Sequence, residues 1–182
     1  LGYVTIVAAV IMASLSGSAV ADAAALTALL LPMMVAAGHD RARSAGLIAS
    51  AGIIAPIIPP SIGFVIFGVA ANVSITKLFM AGIFPGVWLA IALWGTWWYL
   101  VRKERIVPPP RKSRAEVLAA LRDATWALVL PFIIVFGLKF GVFTPTEAAV
   151  VAAVYALFIS IFVYKELNFK KLVPLFISAA KT

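Results

Sequence analysis

Hydrophobic residues form long blocks along the chain, and short polar stretches separate these blocks. The first apolar run extends from residue 4 to residue 37 and is interrupted once, by the polar stretch from Ser14 to Asp22. A helix that crosses a bilayer needs about 20 apolar residues, so this run is too long for one crossing and too short for two crossings with a turn. The pattern therefore predicts a re-entrant hairpin with helical arms at residues 2–15 and 19–37.

A secretory signal peptide is an alternative interpretation of the same run. Ala19-Val20-Ala21 has the A-x-A form of a cleavage site after an apolar stretch. However, the sequence shows no basic n-region before it, and the apolar run resumes at once and continues to Ala37. These two features favour the hairpin.

The second apolar segment, residues 45–71, is interrupted by proline. A continuous helix of this length would measure about 39 Å, more than the roughly 30 Å of a hydrocarbon core. Three prolines lie inside the segment: Pro56, Pro59 and Pro60. Each lacks the N–H that would bond the carbonyl four residues earlier, so the carbonyls of Gly52, Ala55 and Pro56 lose their helical partners. We predict a discontinuous helix whose second half begins at Ser61.

The rest of the chain alternates between apolar spans and polar connections. An outer loop at residues 72–77 leads to a span at 81–101. The inner end of this span carries an aromatic belt, formed by Trp94, Trp97, Trp98 and Tyr99. Residues 124–140 and 145–164 are predicted to be two further spans, and residues 168–182 are predicted to be an amphipathic tail.

Two capping boxes mark helix starts in the second half of the chain. Ser113 is followed by Glu116, at the start of a predicted short surface helix through Arg122 with one apolar and one basic face. Thr144 is followed by a proline and then by Glu147, which also has the form of a helix start. Ser113 and Glu147 are therefore predicted to have structural roles.

Composition and charge place the chain in a membrane. Hydrophobic residues make up 64% of the chain and charged residues 12%, against roughly 45–50% and 25% in ordinary soluble domains. The net charge of +8 could indicate a nucleic-acid partner, but thirteen of the fifteen Lys and Arg residues fall within residues 39–45, 102–122 and 165–181. Placed on the cytoplasmic side, these segments satisfy the positive-inside rule. We therefore expect the chain to lie in a lipid bilayer and to have no nucleic-acid partner.

An enzyme inside the membrane is disfavoured by the residues available. The chain has no cysteine and one histidine, so it has no thiolate nucleophile and no cysteine metal site. Asp22, His39 and Glu147 are the candidate catalytic groups, yet no serine–histidine pair has an evident meeting point. His39 and Asp40 lie in a charged loop that is predicted to be solvated. We expect a protein that is not an enzyme.

The two breaks lie in neighbouring membrane segments and share one kind of chemistry. The C-terminal end of a broken helix exposes carbonyls that suit a hard cation, and the N-terminal end exposes N–H groups that suit a carboxylate. Four hydroxyls add neutral oxygens: those of Ser14, Ser16, Ser18 and Ser61. Such ligands suit Na⁺ better than a transition metal. Exposed carbonyls suit an ion channel equally well, so a transporter and a channel both remain open on these grounds.

Four motifs, in order along the chain, carry a family resemblance. They are residues 17–25 followed by Pro32-Met33, Ile58-Pro59-Pro60-Ser61, residues 78–86, and residues 141–149. Together they resemble the large membrane subunit of TRAP transporters, the tripartite ATP-independent periplasmic carriers. The sequence also contains no glycine-rich phosphate loop.

The resemblance implies an all-α integral membrane protein of the bacterial inner membrane. It is expected to be part of an elevator-type transporter built from two inverted repeats, each with a re-entrant hairpin and a discontinuous helix. Sodium would be imported together with an organic acid, such as a C4-dicarboxylate or sialic acid, that a periplasmic binding protein delivers. A small membrane subunit is the expected partner, and we expect the second hairpin and second break to lie outside this sequence, as in a piece of a longer polypeptide.

The resemblance also implies roles for residues at the breaks. Sodium, as the coupling ion and in place of any cofactor, would be held mainly by backbone carbonyls and hydroxyls of Ser14, Ser16, Gly17, Ala55, Pro59 and Pro60. The substrate would be held by Ser18, Ala19 and Ser61. Asp22 is expected to steady the second arm of the hairpin rather than touch the ion.

The predicted organisation follows from these assignments. Its segments are the hairpin at 1–38, the broken helix and the next span at 39–101, a basic cytoplasmic loop with a surface helix at 102–124, two spans of the second repeat at 125–164, and the start of an arm helix at 165–182.

Overall fold

The computed structural model describes residues 1–102 and 113–181, and every regular element in these ranges is helical. The chain divides into two units, Leu1–Glu116 and Val117–Thr182. Four helical segments are long and apolar enough to cross a membrane: Ala19–Ala36, Ile75–Val101, Arg114–Lys139 and Pro145–Val163. The all-α membrane architecture predicted from the sequence is thus confirmed.

The first unit contains the predicted hairpin and the predicted broken helix. Its helices are α1 (Gly2–Ser16), α2 (Ala19–Ala36), α3 (Arg41–Gly52), α4 (Ile62–Ala70) and α5 (Ile75–Val101). The arms α1 and α2 match the predicted arms to within one residue at each end. The segment 53–61 separates α3 from α4, as the prolines predict.

The hairpin has both of its open ends at one end of α5. A Cβ on Gly2, at the start of α1, would overlap the indole ring of Trp97. The ring of Tyr3 lies 4.5 Å from that of Trp94, and the ring of His39, just after α2, lies 5.3 Å from that of Trp97. Because α1 starts and α2 ends beside the same part of α5, the hairpin enters and leaves on one side.

Two predictions made for this end of the molecule are wrong. Trp97 does not belong to the exposed aromatic belt, since only 2% of its surface is exposed. His39 does not lie in a solvated loop, since it is buried with its ring against Trp97. The start of α1 packs on the Trp97 indole, and the His39 ring packs on the same indole. Contacts between distant parts of the chain therefore explain the burial of Trp97.

Four helices supply the core of the first unit. Its buried members are Ile6 and Ala9 from α1, Leu26, Leu30 and Met34 from α2, Leu47, Ile48 and Ala51 from α3, and Trp97 from α5. Small residues bring these helices close together: a Cβ on Gly52 would lie 3.0 Å from the Cβ of Ala23. In a bilayer such packing, rather than removal of apolar surface from water, is what holds helices together.

Two helices of the first unit begin earlier than the sequence predicts. Asp40 accepts a hydrogen bond from the backbone N–H of Arg43 at 2.8 Å, so α3 begins at Arg41 and takes in residues assigned to a loop. Ser74 accepts from Lys77 N–H at 3.4 Å, so α5 begins at Ile75, inside the predicted outer loop. In both cases a capping side chain extends the helix by satisfying a first-turn N–H.

Two glycines of α5 pack against the irregular segment that separates α3 from α4. A Cβ on Gly82 would overlap the Ile57 carbonyl oxygen, and a Cβ on Gly86 would overlap the side chain of Ile58. Their four-residue spacing indicates close approach of another helix. In the structure, the segment that packs on this surface is the irregular stretch 53–61 and not another helix.

The remaining helices are α6 (Arg114–Lys139), α7 (Pro145–Phe158, continued by a π-helical turn at Ile159–Val163) and α8 (Phe169–Lys181). All of the second unit's helices are among them, and the first turn of α6 belongs to the first unit. The prediction of a separate surface helix that ends at Arg122 is wrong, because this segment and the following span form one continuous helix. No glycine or proline lies between Ser113 and Pro131, so nothing in the backbone ends the helix near Arg122. The proline-rich part of the predicted basic loop lies outside the described residues.

Both predicted capping boxes are present in the structure. Ser113 N–H donates to the Glu116 carboxylate at 3.0 Å, and Glu116 N–H donates to Ser113 Oγ at 3.2 Å. Thr144 N–H donates to the Glu147 carboxylate at 2.8 Å, and Glu147 N–H donates to Thr144 Oγ1 at 3.3 Å. In each box, side-chain atoms of the two residues therefore accept hydrogen bonds from backbone N–H groups at the start of the helix.

Candidate functional site

The tip of the hairpin touches the break between α3 and α4. A Cβ on Gly17 would overlap the carbonyl oxygen of Pro60 and would lie 3.2 Å from the Cα of Ser61. The two polar interruptions that the sequence places in neighbouring membrane segments are therefore in direct contact. This contact defines the candidate site.

Gly17 ends α1 and turns the chain into α2. It has a left-handed conformation (φ +62°), which glycine adopts without steric cost, and its N–H donates to the Ala13 carbonyl at 3.4 Å. The last carbonyls of α1, those of Ser14, Leu15 and Ser16, have no helical N–H ahead of them. The C-terminal end of α1 thus brings carbonyl oxygens to the break.

Ser61 holds the break together with its side chain. Its hydroxyl donates to the Pro56 carbonyl at 2.6 Å and accepts from Phe64 N–H at 3.3 Å. The Pro56 carbonyl needs this donor because Pro60, four residues later, has no N–H. The buried Ser61 hydroxyl therefore replaces the missing helical hydrogen bond and also caps α4.

The prolines remove the helical hydrogen-bond donors of three carbonyls, and one of the three, that of Ala55, has no other donor among the described residues. The Gly52 carbonyl accepts from Ala55 N–H at 3.2 Å, and the Pro56 carbonyl accepts from Ser61. Within residues 1–102 no hydrogen bond is made to the Ala55 carbonyl, although Ala55 is only 1% exposed. Buried carbonyls are almost always paired, so this oxygen is suited to a bound cation.

Asp22 fixes the hydroxyl of Ser16. The Ser16 hydroxyl donates to Asp22 Oδ1 and accepts from Ser18 N–H at 3.2 Å. Asp22 is 1% exposed, and its second carboxylate oxygen has no hydrogen-bond partner among the described residues. This hydrogen bond links the tip at Ser16 to the second arm, of which Asp22 is a part. The steadying role of Asp22 stays a prediction.

Two helix N-termini also begin at the contact. Ser18 caps α2 by accepting from Ala21 N–H at 3.4 Å, and Ser61 caps α4. The first N–H groups of each helix, at Ala19 and Ile62, have no helical acceptor behind them. Such helix ends carry partial positive charge and bind carboxylates and other anions.

The other predicted ligands lie at or near the contact in different ways. The Ser14 hydroxyl donates to the Ile11 carbonyl at 2.6 Å, so it is engaged with its own helix while the Ser14 carbonyl faces the open end of α1. Pro59 is fully buried and is joined to Pro60 by a cis peptide bond. Gly82 and Gly86, whose four-residue spacing in the sequence indicates a close approach, lie against Ile57 and Ile58 of the break.

No cluster of three or more His, Cys, Asp or Glu side chains occurs within the described ranges 1–102 and 113–181. The polar groups that meet at the contact are mainly backbone carbonyls, backbone N–H groups and serine hydroxyls. Neutral oxygen sets of this kind bind hard cations such as Na⁺.

Comparison with known proteins gives a consistent family. A model of the tripartite ATP-independent periplasmic transporter, DctM component, matches residues 1–182. A putative TRAP transporter large permease protein of Haemophilus influenzae is 53% identical over 182 residues. The 2,3-diketo-L-gulonate TRAP transporter large permease protein YiaN of Escherichia coli is also 53% identical over 182 residues. Each of these alignments covers the whole chain and 43% of the relative.

A more distant relative has a different named substrate. The sialic acid TRAP transporter permease protein SiaT of Haemophilus influenzae is 41% identical over 172 residues, which are 94% of this chain and 28% of the relative. The chain thus spans less than half the length of these three proteins. Members of the family are transporter permeases of the bacterial inner membrane, not enzymes. The chain belongs to the DctM component family, the large permease subunits of the TRAP transporters.

Proposed function

We propose that the contact between the hairpin tip and the broken helix is one half of the ion and substrate site of a sodium-coupled importer of organic acids. The observation that carries this proposal is the buried Ala55 carbonyl, to which no described group donates a hydrogen bond. Ala55 belongs to the same buried cluster as Ala13, which lies near the C-terminal end of α1. A buried carbonyl costs free energy unless a hydrogen-bond donor or a cation contacts its oxygen. A bound Na⁺ would supply that contact.

The proposed sodium ligands come from both sides of the contact. The open end of α1 and the turn after it would contribute oxygens of Ser14, Ser16 and Gly17. The break would contribute the carbonyls of Ala55, Pro59 and Pro60. Gly17 already lies against the Pro60 carbonyl, so a cation between these groups would join the tip to the break, and its loss would weaken that join.

The proposed substrate group is a carboxylate at the N-termini of α2 and α4. Ser18, Ala19 and Ser61 lie at these two helix starts, and both ends favour negative charge. Sialic acid and 2,3-diketo-L-gulonate, named for two relatives, are both carboxylic acids, and C4-dicarboxylates belong to the same chemical class. Sodium beside the carboxylate would couple the binding of one to the binding of the other.

The whole transporter would include parts beyond this chain. In the proposal a small membrane subunit accompanies the large one, and a periplasmic binding protein delivers the solute. A second hairpin and a second broken helix, related to the first by an inverted repeat, would complete the site. An elevator movement of the hairpin-bearing part would then carry the ion and the solute across the membrane.

Uptake measurements on the complete transporter test this proposal. The purified complex in vesicles, supplied with its binding protein and a radiolabelled carboxylate, is expected to show saturable uptake that requires an inward sodium gradient. Potassium in place of sodium should abolish it. Linear flux that does not saturate would contradict the transporter and favour a pore.

Two substitutions test the assignment of the site. Ser18→Ala removes the cap of α2, and Pro60→Ala changes the backbone that the tip contacts. Each is expected to raise the sodium concentration for half-maximal uptake about five-fold, which corresponds to about 1 kcal/mol. Thr96→Ala, which removes a hydroxyl from the exposed face of α5, is the control. If both site variants keep the wild-type sodium response, the assignment is wrong.

A further inference from the structure

We propose that the groove between α1 and α5 binds one acyl chain of an anionic phospholipid whose phosphate contacts Arg102. The groove has a volume of about 360 Å³ and is lined only by apolar side chains. Its walls include Val7, Val10 and Ile11 of α1 and Val87, Ile91 and Trp94 of α5. This site is separate from the contact between the hairpin tip and the break, and it does not depend on which ion or solute is carried.

The length of the groove suits an acyl chain. On α5 the groove extends from Val87 to Trp94, about 10 Å at 1.5 Å per residue. A single hydrocarbon chain is narrow enough to lie in it, and the charge beside the groove bears on which molecule supplies that chain.

The walls of the groove face the surroundings of the chain. Trp94 is 45% exposed and Ile91 is 57% exposed, while Ile6 at the base is 2% exposed. Hydrocarbon in the groove would fill space between α1 and α5 that neither helix fills. Because α1 is one arm of the hairpin, a chain bound here would support that arm from the side.

Arg102 provides a positive charge at the C-terminal end of α5, beyond the end of the groove at Trp94. Trp94, Trp98 and Arg102 follow one another at four-residue spacing and therefore lie on one side of the helix. The guanidinium carbon of Arg102 lies 4.4 Å from the centre of the Tyr99 ring and 5.8 Å from that of Trp98. These rings hold an exposed guanidinium in place, and guanidinium groups bind phosphate oxygens in pairs.

Charge complementarity determines the kind of lipid. The basic segments predict that this end of α5 is cytoplasmic, and the cytoplasmic leaflet is the one rich in anionic lipids. Tryptophan side chains also favour the headgroup level. A phosphate at Arg102 with a chain running back past Trp94 satisfies both the charge and the apolar groove.

Native mass spectrometry of the complete transporter tests the proposal. The complex is equilibrated in detergent with phosphatidylglycerol or, separately, phosphatidylcholine. Ala90→Phe places a ring inside the groove, whereas Ala92→Phe places the same ring on the exposed face of α5 outside it. Wild type and Ala92→Phe should retain one tightly bound phosphatidylglycerol, and Ala90→Phe should retain it at least five-fold less.

Arg102→Gln keeps the groove and removes the charge at an exposed position, so it tests the proposal even where Ala90→Phe impairs folding. It is expected to lower retention of phosphatidylglycerol about five-fold, to the level of phosphatidylcholine. Equal retention by wild type, Ala90→Phe and Arg102→Gln would overturn the proposal. A structure of the complete complex with a protein segment in the groove would overturn it as well.

Discussion

Gly17→Ala is expected to reduce sodium-dependent uptake by the complete transporter at least ten-fold. Gly17 has φ +62°, a conformation that costs other residues about 1–2 kcal/mol. In addition, the new Cβ would overlap the Pro60 carbonyl oxygen, which is a backbone atom of a buried segment and cannot move aside by a change of rotamer. The tip would have to withdraw from the break, so the proposed sodium ligands on the two sides would no longer meet.

The matched control for this variant is Gly95→Ala. Gly95 lies on α5, and a Cβ there would meet no atom within 4 Å. Both variants are measured for sodium-dependent uptake and for thermal unfolding in the same detergent. Gly95→Ala should keep wild-type uptake, and Gly17→Ala should lose uptake while the complex still assembles. Wild-type uptake by Gly17→Ala would show that the tip contact is not part of the transport site.

Asp22→Asn is expected to raise the sodium concentration for half-maximal uptake about ten-fold. Asparagine has nearly the same shape, so the buried position stays filled, but the hydrogen bond from Ser16 loses its charged acceptor. Hydrogen bonds to charged groups contribute about 1.5–3 kcal/mol, against about 1.4 kcal/mol for a ten-fold change in affinity. A weaker bond leaves the Ser16 hydroxyl free to rotate away from the cation.

A double-mutant cycle tests whether Asp22 affects the sodium response through the Ser16 hydroxyl or through a general loss of stability. Ser16→Ala, Asp22→Asn and the double variant are compared for their sodium response. If Asp22 acts through Ser16, the double variant should be no worse than the more affected single variant, because residues in one hydrogen-bond network are not additive. Additive effects of the two substitutions would mean that Asp22 acts independently of Ser16.

Some features of the fold follow from local chemistry and were predictable from the sequence. The break at residues 53–61 follows from prolines, which cannot donate backbone hydrogen bonds. The turn at Gly17 follows from glycine's tolerance of a left-handed conformation. The boxes that begin at Ser113 and Thr144 join residues three positions apart, so their hydrogen bonds depend on little beyond the helix itself.

Other features depend on partners that are distant in sequence. The burial of His39 depends on Trp97, and that of Trp97 depends on the close approach of Gly2. The continuity of α6 was missed because a basic segment with a capping box resembles a surface helix, although nothing ends the helix before the apolar span begins. Composition describes which faces are polar, but it does not say where neighbouring helices cover them.

By itself the sequence determined that the chain is helical, that it lies in a membrane, and that its helices break at two polar points. These features follow from local properties: the length of an apolar run sets whether it can cross a bilayer, and proline and glycine change the backbone within a few residues of their own position. Only the tertiary structure decided that Gly17 meets the Pro60 carbonyl, that Ser61 replaces a lost N–H for Pro56, and that the buried Ala55 carbonyl keeps no described partner. These contacts depend on how α1, α2, α3 and α5 pack together, and the close approach of small side chains sets that packing.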